Sequence, residues 1–339
     1  MSTASHNNFT VKFANVNGTG SSSANGLFMK SIFRMGIPVV GKNYFPSNIQ
    51  GLPTWYEVRA SEHGYLAPSG GVDIMVAMNA ETYAKDLGEV NPGGYLLYDS
   101  TWPRNILMAR EDITVLGVPL AKMCNENFDN ARARTLMKNT AYVGSLAALL
   151  NMEVAVIEQL LLDIFGSKTN LIEANKSALQ LGYDYAKNNF ICPLPFTTKR
   201  ENKTDGYIMI DGNATAALGC LYAGATVGAW YPITPSTSLM DSFTSYCDFF
   251  RKDEATGKNK YAIIQAEDEL AAIGIALGAG WNGSRSFTPT SGPGISLMSE
   301  FLGFGYYAEI PTVVFDVQRT GPSTGMPTRT KQGDILACA

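Results

Sequence analysis

Asp211-Gly-Asn-Ala-Thr-Ala216, followed by Tyr231-Pro-Ile-Thr-Pro-Ser236, is the stretch that decides the fold of the second half of the chain. The first segment predicts a Gly-rich entry into a helix. The second predicts a loop whose backbone is stiffened around Thr234 by Pro232 and Pro235. Both follow predicted strand ends, where open α/β sheets bind their ligands. A Pro-rich turn that only ends a strand is the alternative interpretation of Thr234.

The rest of the second half repeats this alternation of strand, loop and helix. A strand pattern at 207–210 opens it, and four more strand patterns occur at 228–231, 261–266, 285–290 and 312–317. Helical stretches follow them from Asn213, Ser236, Asp268 and Gly294. Such alternation predicts an α/β fold with a parallel sheet, and we expect ligands at the edge where its strands end.

The first half also predicts an α/β unit. An alternating strand pattern at 9–16 leads into Asn17-Gly-Thr-Gly20 and then into a helical pattern at 24–35. Gly18 and Gly20 indicate either a phosphate-type site or only a tight turn, because the third glycine of the dinucleotide motif is absent. Further strand patterns lie at 54–60, 73–78 and 95–98, before a helical region at 130–188.

Loss of periodicity at 191–206 predicts a linker between two domains. We therefore place the first domain at residues 8–190 and the second at 207–339. A chain of 339 residues is long enough for two such domains, each with its own core.

Composition excludes several classes of function. The net charge of −4 and the lack of a Lys/Arg cluster argue against a nucleic-acid partner. The most apolar long window, 147–165, contains Glu153, Glu158 and Asp163, which argues against a membrane span. Five scattered cysteines without a C-x-x-C pair, and only two histidines, predict no metal or iron-sulfur site in this chain and suit a reducing cytoplasm.

The acidic run Glu267-Asp-Glu269 precedes a helix rich in small residues. Glu267 and Asp268 are typical of helix caps that complement the helix dipole. Glu269 leads directly into the helix, where a partly desolvated carboxyl could share a proton with a heterocycle nitrogen. Helix capping remains the alternative for Glu269.

Arg319 follows the apolar strand pattern at 313–317, where an unpaired charge is costly. It requires an anion, which could be Asp316, Asp334 or the carboxylate of a ligand. A structural salt bridge is the alternative to ligand binding. The loop that follows, through Thr328, offers hydroxyls and backbone amides around the same point.

These motifs together resemble the 2-oxoacid:ferredoxin oxidoreductases, which are thiamine-diphosphate enzymes. The second half is similar to the pyrimidine-binding domain of their alpha subunit, and the first half to their gamma domain fused ahead of it. The resemblance in the second half is carried by Asp211–Asn213, Tyr231–Ser236, Glu267–Ala272, Thr290–Gly294, Gln318-Arg319 and Gly321–Gly325. In the first half it is carried by Phe45–Gly51, Tyr56–Arg59, Asp73–Asn79 and Pro92–Gly94.

The resemblance implies roles for individual residues. Glu269 corresponds to the catalytic glutamate that contacts the aminopyrimidine ring of thiamine diphosphate. Tyr231, Pro232, Ile233, Ser291 and Gly292 correspond to other cofactor-binding positions. Thr234, Arg319 and Thr328 correspond to residues that bind the 2-oxoacid. Gly18 and Gly20 are candidates for binding coenzyme A, although Ser21-Ser-Ser23 replaces the usual residues after the first glycines.

The resemblance also implies a partner chain. The diphosphate end of the cofactor needs Mg²⁺ held by a Gly-Asp-Gly segment, which this sequence lacks. We therefore expect a beta subunit that carries the diphosphate, Mg²⁺ and iron-sulfur sites, ferredoxin as the electron acceptor, and a heterotetramer. We also expect the pyrimidine-binding domain to be incomplete at Ala339.

The function implied is oxidative decarboxylation of a 2-oxoacid, 2-oxoglutarate above others, with coenzyme A. Alternatives are half of another thiamine-diphosphate enzyme, such as a pyruvate or branched-chain 2-oxoacid oxidoreductase or a transketolase-like enzyme. A non-catalytic assembly subunit or a truncated remnant is a third alternative.

Overall fold

A computed structural model of the protein describes residues 5–44, 51–67, 70–105, 110–319 and 335. The chain divides into two compact units, residues 1–209 and residues 210–339. Within the described ranges, no helix is both long and apolar enough to span a bilayer.

A six-stranded mixed sheet forms the centre of the first unit. Its strands are β2 (Phe9–Val16), β3 (Val39–Tyr44), β4 (Pro53–Ala60), β5 (Val72–Ala77), β6 (Val90–Asp99) and β7 (Thr114–Val118), after a short β1 (Ser5–His6) that pairs with β8 (Phe196–Thr197). The spatial order is β3-β4-β2-β5-β6-β7, in which β2, β5, β6 and β7 run parallel while β4 is antiparallel to both of its neighbours. The parallel strands end at the edge where β2 leads into the Gly18–Gly20 turn.

In the part of the first unit that the structure describes, six α-helices accompany this sheet: α1 (Ser21–Arg34), α2 (Tyr83–Glu89), α3 (Leu120–Asn127), α4 (Ala131–Leu149), α5 (Val154–Phe165) and α6 (Thr169–Asn189). The main core lies between one face of the sheet and α1, α4, α5 and α6, where Phe13, Phe28 and Tyr142 are completely buried. The predicted helical region at 130–188 is thus three helices. They are interrupted near Asn151 and Gly166, both of which have a positive φ.

Residues 191–206, for which we predicted a linker, lie along the first unit. The backbone amide of Leu194 donates to the Leu149 carbonyl at 2.8 Å, and that of Glu201 donates to the Met35 carbonyl at 2.9 Å. Thr198 donates to the Leu150 carbonyl through both its amide and its hydroxyl. The segment is therefore anchored by hydrogen bonds to the ends of α1 and α4.

The second unit contains a four-stranded parallel sheet of order β10-β9-β11-β12. Its elements are α7 (Gly212–Tyr222), β9 (Val227–Trp230), α8 (Thr237–Phe250), β10 (Ala262–Gln265), α9 (Glu269–Trp281), β11 (Ser286–Thr290), α10 (Gly292–Tyr307) and β12 (Val313–Asp316). The predicted parallel sheet is confirmed. The strand predicted at 207–210 is wrong: Tyr207 and Ile208 are each 73% exposed, so no sheet face buries them.

Candidate functional site

The carboxyl ends of all four strands of the second sheet meet at one edge, because the strands are parallel. The loop 231–236 follows β9, and residues 266–268 connect β10 to Glu269 at the start of α9. Ser291 follows β11, while Arg319 lies shortly after β12. The structure therefore brings to one edge the described residues of the second unit that the sequence singled out.

The loop 231–236 is held by side chains on both sides. The Ser236 hydroxyl donates to the Ile233 carbonyl at 2.9 Å, which closes a turn within the loop. Asn213, in the first turn of α7, donates from Nδ2 to the Pro235 carbonyl and to the Ser238 hydroxyl, both at 2.8 Å. Tyr231 is 36% exposed at the start of the loop, and Pro232 is also exposed. These contacts fix the loop while leaving Tyr231 and Pro232 accessible.

Glu269 is buried, with only 7% of its surface exposed. It is not the cap of α9, because Asp268 holds that position and accepts a hydrogen bond from the Ala271 amide at 2.7 Å. Glu267 is exposed, as expected for a solvated side chain. The capping alternative therefore belongs to Asp268, and the Glu269 carboxyl is left for another role.

Gly294 lies against Glu269 in the first turns of α10. A Cβ atom at Gly294 would stand 2.8 Å from Glu269 Cγ and would collide with the Thr290 hydroxyl. Glu269 and Thr290 thus come together around a position where only glycine fits. The Gly-rich sequence after β11 is explained by this close approach.

Three hydroxyls in this region are buried and have no hydrogen-bond partner among the described residues. They belong to Thr288 and Thr290 on β11 and to Ser291, which precedes α10 but does not cap it with its side chain. Buried hydroxyls without partners are costly, and they commonly mark a place where a ligand or water supplies the missing bond. Gly292 follows as the first residue of α10.

Arg319 is 9% exposed, and its NH1 group donates to the Thr234 carbonyl at 2.9 Å. This bond crosses from the end of β12, over β11, to the loop after β9. No carboxylate of the described residues lies within 4.0 Å of its guanidinium, and Nε has no partner among them. The Asp316 salt bridge that the sequence left open is therefore not formed. Asp334 and Thr328 lie outside the described residues.

The edge fits one end of a flat nitrogen heterocycle. Glu269 offers a carboxyl, and Thr290 and Ser291 offer hydroxyls that can donate or accept. Gly294 has no side chain that would fill the space between them. A ring with adjacent donor and acceptor nitrogens, such as an aminopyrimidine, would satisfy these groups.

The first unit contains a separate cavity of about 450 Å³ beside the Gly18–Gly20 turn. Both glycines have a positive φ, 89° and 79°, which explains why glycine is needed at each position. The helix α1 begins directly after the turn, without an acidic residue in its first turn and without a side-chain cap. Free amides at a helix N-terminus favour anions, so this geometry fits the phosphate interpretation of the turn.

Several residues that line this cavity were not singled out in the sequence. They include Asn25 on α1, Asn43 on β3 and Trp55 on β4. Asn25 could have been noticed as a polar residue between the buried positions Ala24 and Leu27 of an apolar helix face. The other two come from strands that only the fold brings to the turn.

Comparison with known proteins identifies the family of both units. A model of the family "pyruvate ferredoxin/flavodoxin oxidoreductase" matches residues 10–185. A model of the thiamine diphosphate-binding region of pyruvate flavodoxin/ferredoxin oxidoreductase matches residues 218–339.

Individual relatives agree with these models. The chain is 30% identical, over 94% of its length, to the 2-oxoacid:ferredoxin oxidoreductase 2 alpha subunit of Aeropyrum pernix, of which it covers 56%. A segment of 129 residues, which is 38% of the chain, is 44% identical to the 2-oxoglutarate synthase subunit KorA of Methanocaldococcus jannaschii. The match covers 33% of that relative.

A solved structure extends the likeness to the fold of nearly the whole chain. The 2-oxoglutarate:ferredoxin oxidoreductase of Magnetococcus marinus, with 2-oxoglutarate, coenzyme A and succinyl-CoA bound, matches 98% of this chain with a TM-score of 0.83 and 30% identity. The match covers 56% of that chain, so the present chain spans about half the length of such relatives. With one family model covering more than half of its residues and a second covering most of the remainder, the chain belongs to the pyruvate ferredoxin/flavodoxin oxidoreductase family.

Proposed function

We propose that this chain is the alpha subunit of a 2-oxoacid:ferredoxin oxidoreductase with a gamma domain fused at its N-terminus, and that its substrate is 2-oxoglutarate. The assembled enzyme oxidatively decarboxylates the 2-oxoacid, transfers the acyl group to coenzyme A and passes two electrons to ferredoxin. The convergence of buried Glu269, unpartnered hydroxyls and Arg319 at one sheet edge carries the proposal. Relatives named for 2-oxoglutarate support the choice of substrate.

Glu269 is the residue we assign to the cofactor. Thiamine diphosphate, when bound, supplies a carbon nucleophile and an electron sink for the loss of carbon dioxide. The Glu269 carboxyl hydrogen bonds to a nitrogen of the pyrimidine ring and holds a proton there. The hydroxyls of Thr290 and Ser291 donate to or accept from the same ring. Gly292 and Gly294 leave room for it beside the first turn of α10.

The loop after β9 completes the proposed cofactor and substrate site. Tyr231, Pro232 and Ile233 form its apolar wall, and their backbone is stiffened by proline. Arg319 binds the carboxylate of the 2-oxoacid through the donors that the Thr234 carbonyl leaves unused. We place the hydroxyls of Thr234 and Thr328 beside the oxo group, where each can donate a hydrogen bond.

Coenzyme A is assigned to the cavity beside Gly18 and Gly20 in the first unit. The start of α1 provides backbone amides and serine hydroxyls to a phosphate group. The cavity of about 450 Å³ is large enough to enclose part of the nucleotide end of the molecule. The first unit therefore serves the acyl-transfer half of the reaction, and the second unit the thiamine half.

We place the remaining components on partners. A beta subunit holds the Mg²⁺ ion, the diphosphate end of the cofactor and the iron-sulfur cluster, and ferredoxin takes the electrons from it. We propose a heterotetramer of two copies of each subunit, in the cytoplasm. These assignments rest on the family to which the chain belongs.

The test is a Glu269→Gln substitution in the complex purified with its natural partner. We expect loss of coenzyme A-dependent reduction of a viologen dye by 2-oxoglutarate, by roughly 100-fold or more, because general acid-base catalysis contributes about 10²- to 10⁴-fold. Glu267→Gln is the matched control, since Glu267 is exposed two residues earlier. Near-wild-type turnover of Glu269→Gln would refute the assignment. Comparing pyruvate with 2-oxoglutarate as substrates tests the choice of oxoacid.

A further inference from the structure

Asn25 carries a hydrogen-bond donor that the proposed function has not assigned. Its side chain lines the cavity beside the Gly18–Gly20 turn, yet the residue is only 2% exposed. The Tyr142 hydroxyl donates to Asn25 Oδ1 at 2.7 Å. Because this bond occupies the oxygen side of the amide, Nδ2 is the atom of Asn25 that remains to donate to a ligand in the cavity that the residue lines. Among the described residues Nδ2 has no partner.

The position of Asn25 on α1 places this donor beside the anion site. Side chains on a helix lean toward its N-terminus, so Asn25 lies over the turn that begins with Ser21, four residues earlier. Ser21 is the first residue of α1, is 5% exposed and also lines the cavity. Ser21 and Asn25 thus line one space at the start of α1, whose first amides have no side-chain cap. All of them can donate to an anion.

The helix α4 fixes this arrangement through one of its faces. Asn139 donates from Nδ2 to the Thr19 carbonyl at 2.8 Å, and Leu136 packs against Gly20. Tyr142 follows three residues after Asn139, on the same face of the helix. Burial raises the pKa of Tyr142, so its hydroxyl remains protonated and able to donate. One rigid helix therefore holds both the turn and the Asn25 amide.

We infer that Asn25 binds a phosphate group of coenzyme A by donating from Nδ2 to a phosphate oxygen, and that Tyr142 is the positioning residue that keeps this donor directed into the cavity. This inference rests on the proposed coenzyme A site in the first unit. It adds a side-chain donor, held by a residue in the core, to the backbone amides and serine hydroxyls that the proposed function already assigns to the phosphate.

Isothermal titration calorimetry on the full 339-residue chain tests the inference, with coenzyme A and with pantetheine, which lacks the phosphates. Asn25→Asp keeps the shape and the acceptor for Tyr142 but replaces the donor with a negative charge. We expect its dissociation constant for coenzyme A to rise by roughly 10-fold or more, because charge-assisted hydrogen bonds contribute about 1.5–3 kcal/mol. Binding of pantetheine should be unchanged.

Asn43→Asp is the matched control, because Asn43 lines the same cavity from β3 and is exposed. It adds the same charge without removing the Asn25 donor, and we expect it to weaken coenzyme A binding by less than about 3-fold, since solvent screens exposed charges. Equal losses in the two variants would show a general charge effect and overturn the inference. An equal loss of pantetheine binding in Asn25→Asp would also overturn it.

Tyr142→Phe tests the positioning role while leaving Asn25 in place. Removing the hydroxyl frees the amide to rotate, and we expect coenzyme A binding to weaken by roughly 5-fold, the equivalent of about one neutral hydrogen bond. Pantetheine binding should again be unchanged, which a loss of structure alone would not produce. In the double variant with Asn25→Asp the two effects should not add, because the donor that Tyr142 positions is gone. Additive losses would overturn the positioning role.

The outcomes separate this inference from the proposed function. If the wild-type chain binds neither coenzyme A nor pantetheine, the proposed coenzyme A site is wrong. If the wild-type chain binds coenzyme A and Asn25→Asp binds it equally well, the site stands and only the role of Asn25 fails.

Discussion

At the level of single residues, Arg319 and Glu269 are two buried charged groups at the sheet edge of the second unit. Arg319 is buried beside a backbone carbonyl, that of Thr234, and no described carboxylate pairs with it. A guanidinium has five N–H donors, so one bond to a carbonyl leaves most of its capacity unused. Glu269 is likewise buried, while its neighbour Asp268 caps the helix. The proposed function therefore assigns both charged groups to a ligand.

Substitution of Arg319 tests its role in substrate binding. For Arg319→Ala in the assembled complex we expect the Michaelis constant for 2-oxoglutarate to rise by roughly 10- to 100-fold, because a charge-assisted bond worth about 1.5–3 kcal/mol is lost. Steady-state kinetics with a dye acceptor measures this. Arg285→Ala is the control, since Arg285 also donates to a backbone carbonyl, that of Ala223, but lies at the other end of β11. Unchanged kinetics in Arg319→Ala would indicate a purely structural residue.

Asp86 is a completely buried carboxyl in the first unit. It accepts hydrogen bonds from Trp55 Nε1 at 2.8 Å and from the Thr82 hydroxyl at 2.6 Å. Burial nevertheless raises the pKa of Asp86 above its ordinary value of 3.8. A raised pKa in the folded state means that ionisation costs stability. This cost is absent below the ordinary value and grows as the pH rises through the folded-state pKa.

We therefore predict that Asp86→Asn changes the pH dependence of stability. From about pH 4 upward the free energy of unfolding of the wild type should fall relative to that of Asp86→Asn, because only the wild type must ionise a buried carboxyl. Urea unfolding followed by tryptophan fluorescence, at a series of pH values, measures the difference. A constant difference between the two proteins across this range would contradict the prediction.

At the level of elements, the contact between α4 and α6 depends on two glycines. A Cβ atom at Gly144 would collide with the Leu179 carbonyl, and one at Gly182 would collide with the Ala141 carbonyl. The Ser145 hydroxyl also donates to the Gly182 carbonyl at 3.0 Å across the same contact. The two backbones are therefore as close as glycine permits, and α4 is held firmly where it supports the Gly18–Gly20 turn.

Gly144→Val should separate these helices. We expect it to lower the free energy of unfolding by about 1–3 kcal/mol or more, since overpacking against backbone cannot be relieved by a change of rotamer. Gly26→Ala in α1 is the control, because a Cβ there meets nothing within 4 Å. That variant should be neutral or more stable by about 0.5–1 kcal/mol, from helix propensity alone. Chemical denaturation compares the two, and equal stabilities would show that α4 and α6 can move apart at little cost.

The elements of the second unit were easier to predict than those of the first. Of the four strands of the parallel sheet, β9, β10 and β12 follow from short apolar runs bounded by turn residues. In the first unit, β3 and β7 were not predicted. β3 contains Gly41, Lys42 and Asn43, which read as a loop, and it becomes a strand only because β4 pairs with it along its length. Pairing partners distant in sequence overrode the local pattern.

For the whole molecule, the chain covers about half the length of the relatives that it matches. Each unit carries its own candidate site: the sheet edge with Glu269 in the second, and the cavity beside Gly18 and Gly20 in the first. The two sites use different chemistry, a carboxyl with hydroxyls in one and helix amides in the other. We expect them to be separable by experiment.

The chain alone should therefore bind coenzyme A but should not turn over 2-oxoglutarate. We predict that it binds coenzyme A measurably by calorimetry, while viologen reduction with 2-oxoglutarate and thiamine diphosphate occurs only when the partner subunit is added. The physical reason is that, in the proposed function, this chain supplies residues only for the pyrimidine end of the cofactor and for the oxoacid. Turnover by the chain without a partner would contradict this division of the site.

The sequence by itself determined the α/β class, the parallel sheet of the second unit and the loops that meet at its edge. Strand and turn patterns are local, and parallel strands bring their carboxyl ends to one side whatever their order. It also singled out Glu269 and Arg319, because charges in apolar surroundings are recognisable from neighbouring residues.

Only the tertiary structure decided what those charges contact. Strand order and helix placement decide that Asp268 is the cap and that Arg319 reaches the Thr234 carbonyl across β11. They also decide that Thr290 and Gly294 enclose Glu269. The Tyr142–Asn25 bond joins residues 117 apart in the chain, and no local pattern indicates it. Such contacts arise from close packing in three dimensions, which a one-dimensional pattern of apolar and polar residues does not specify.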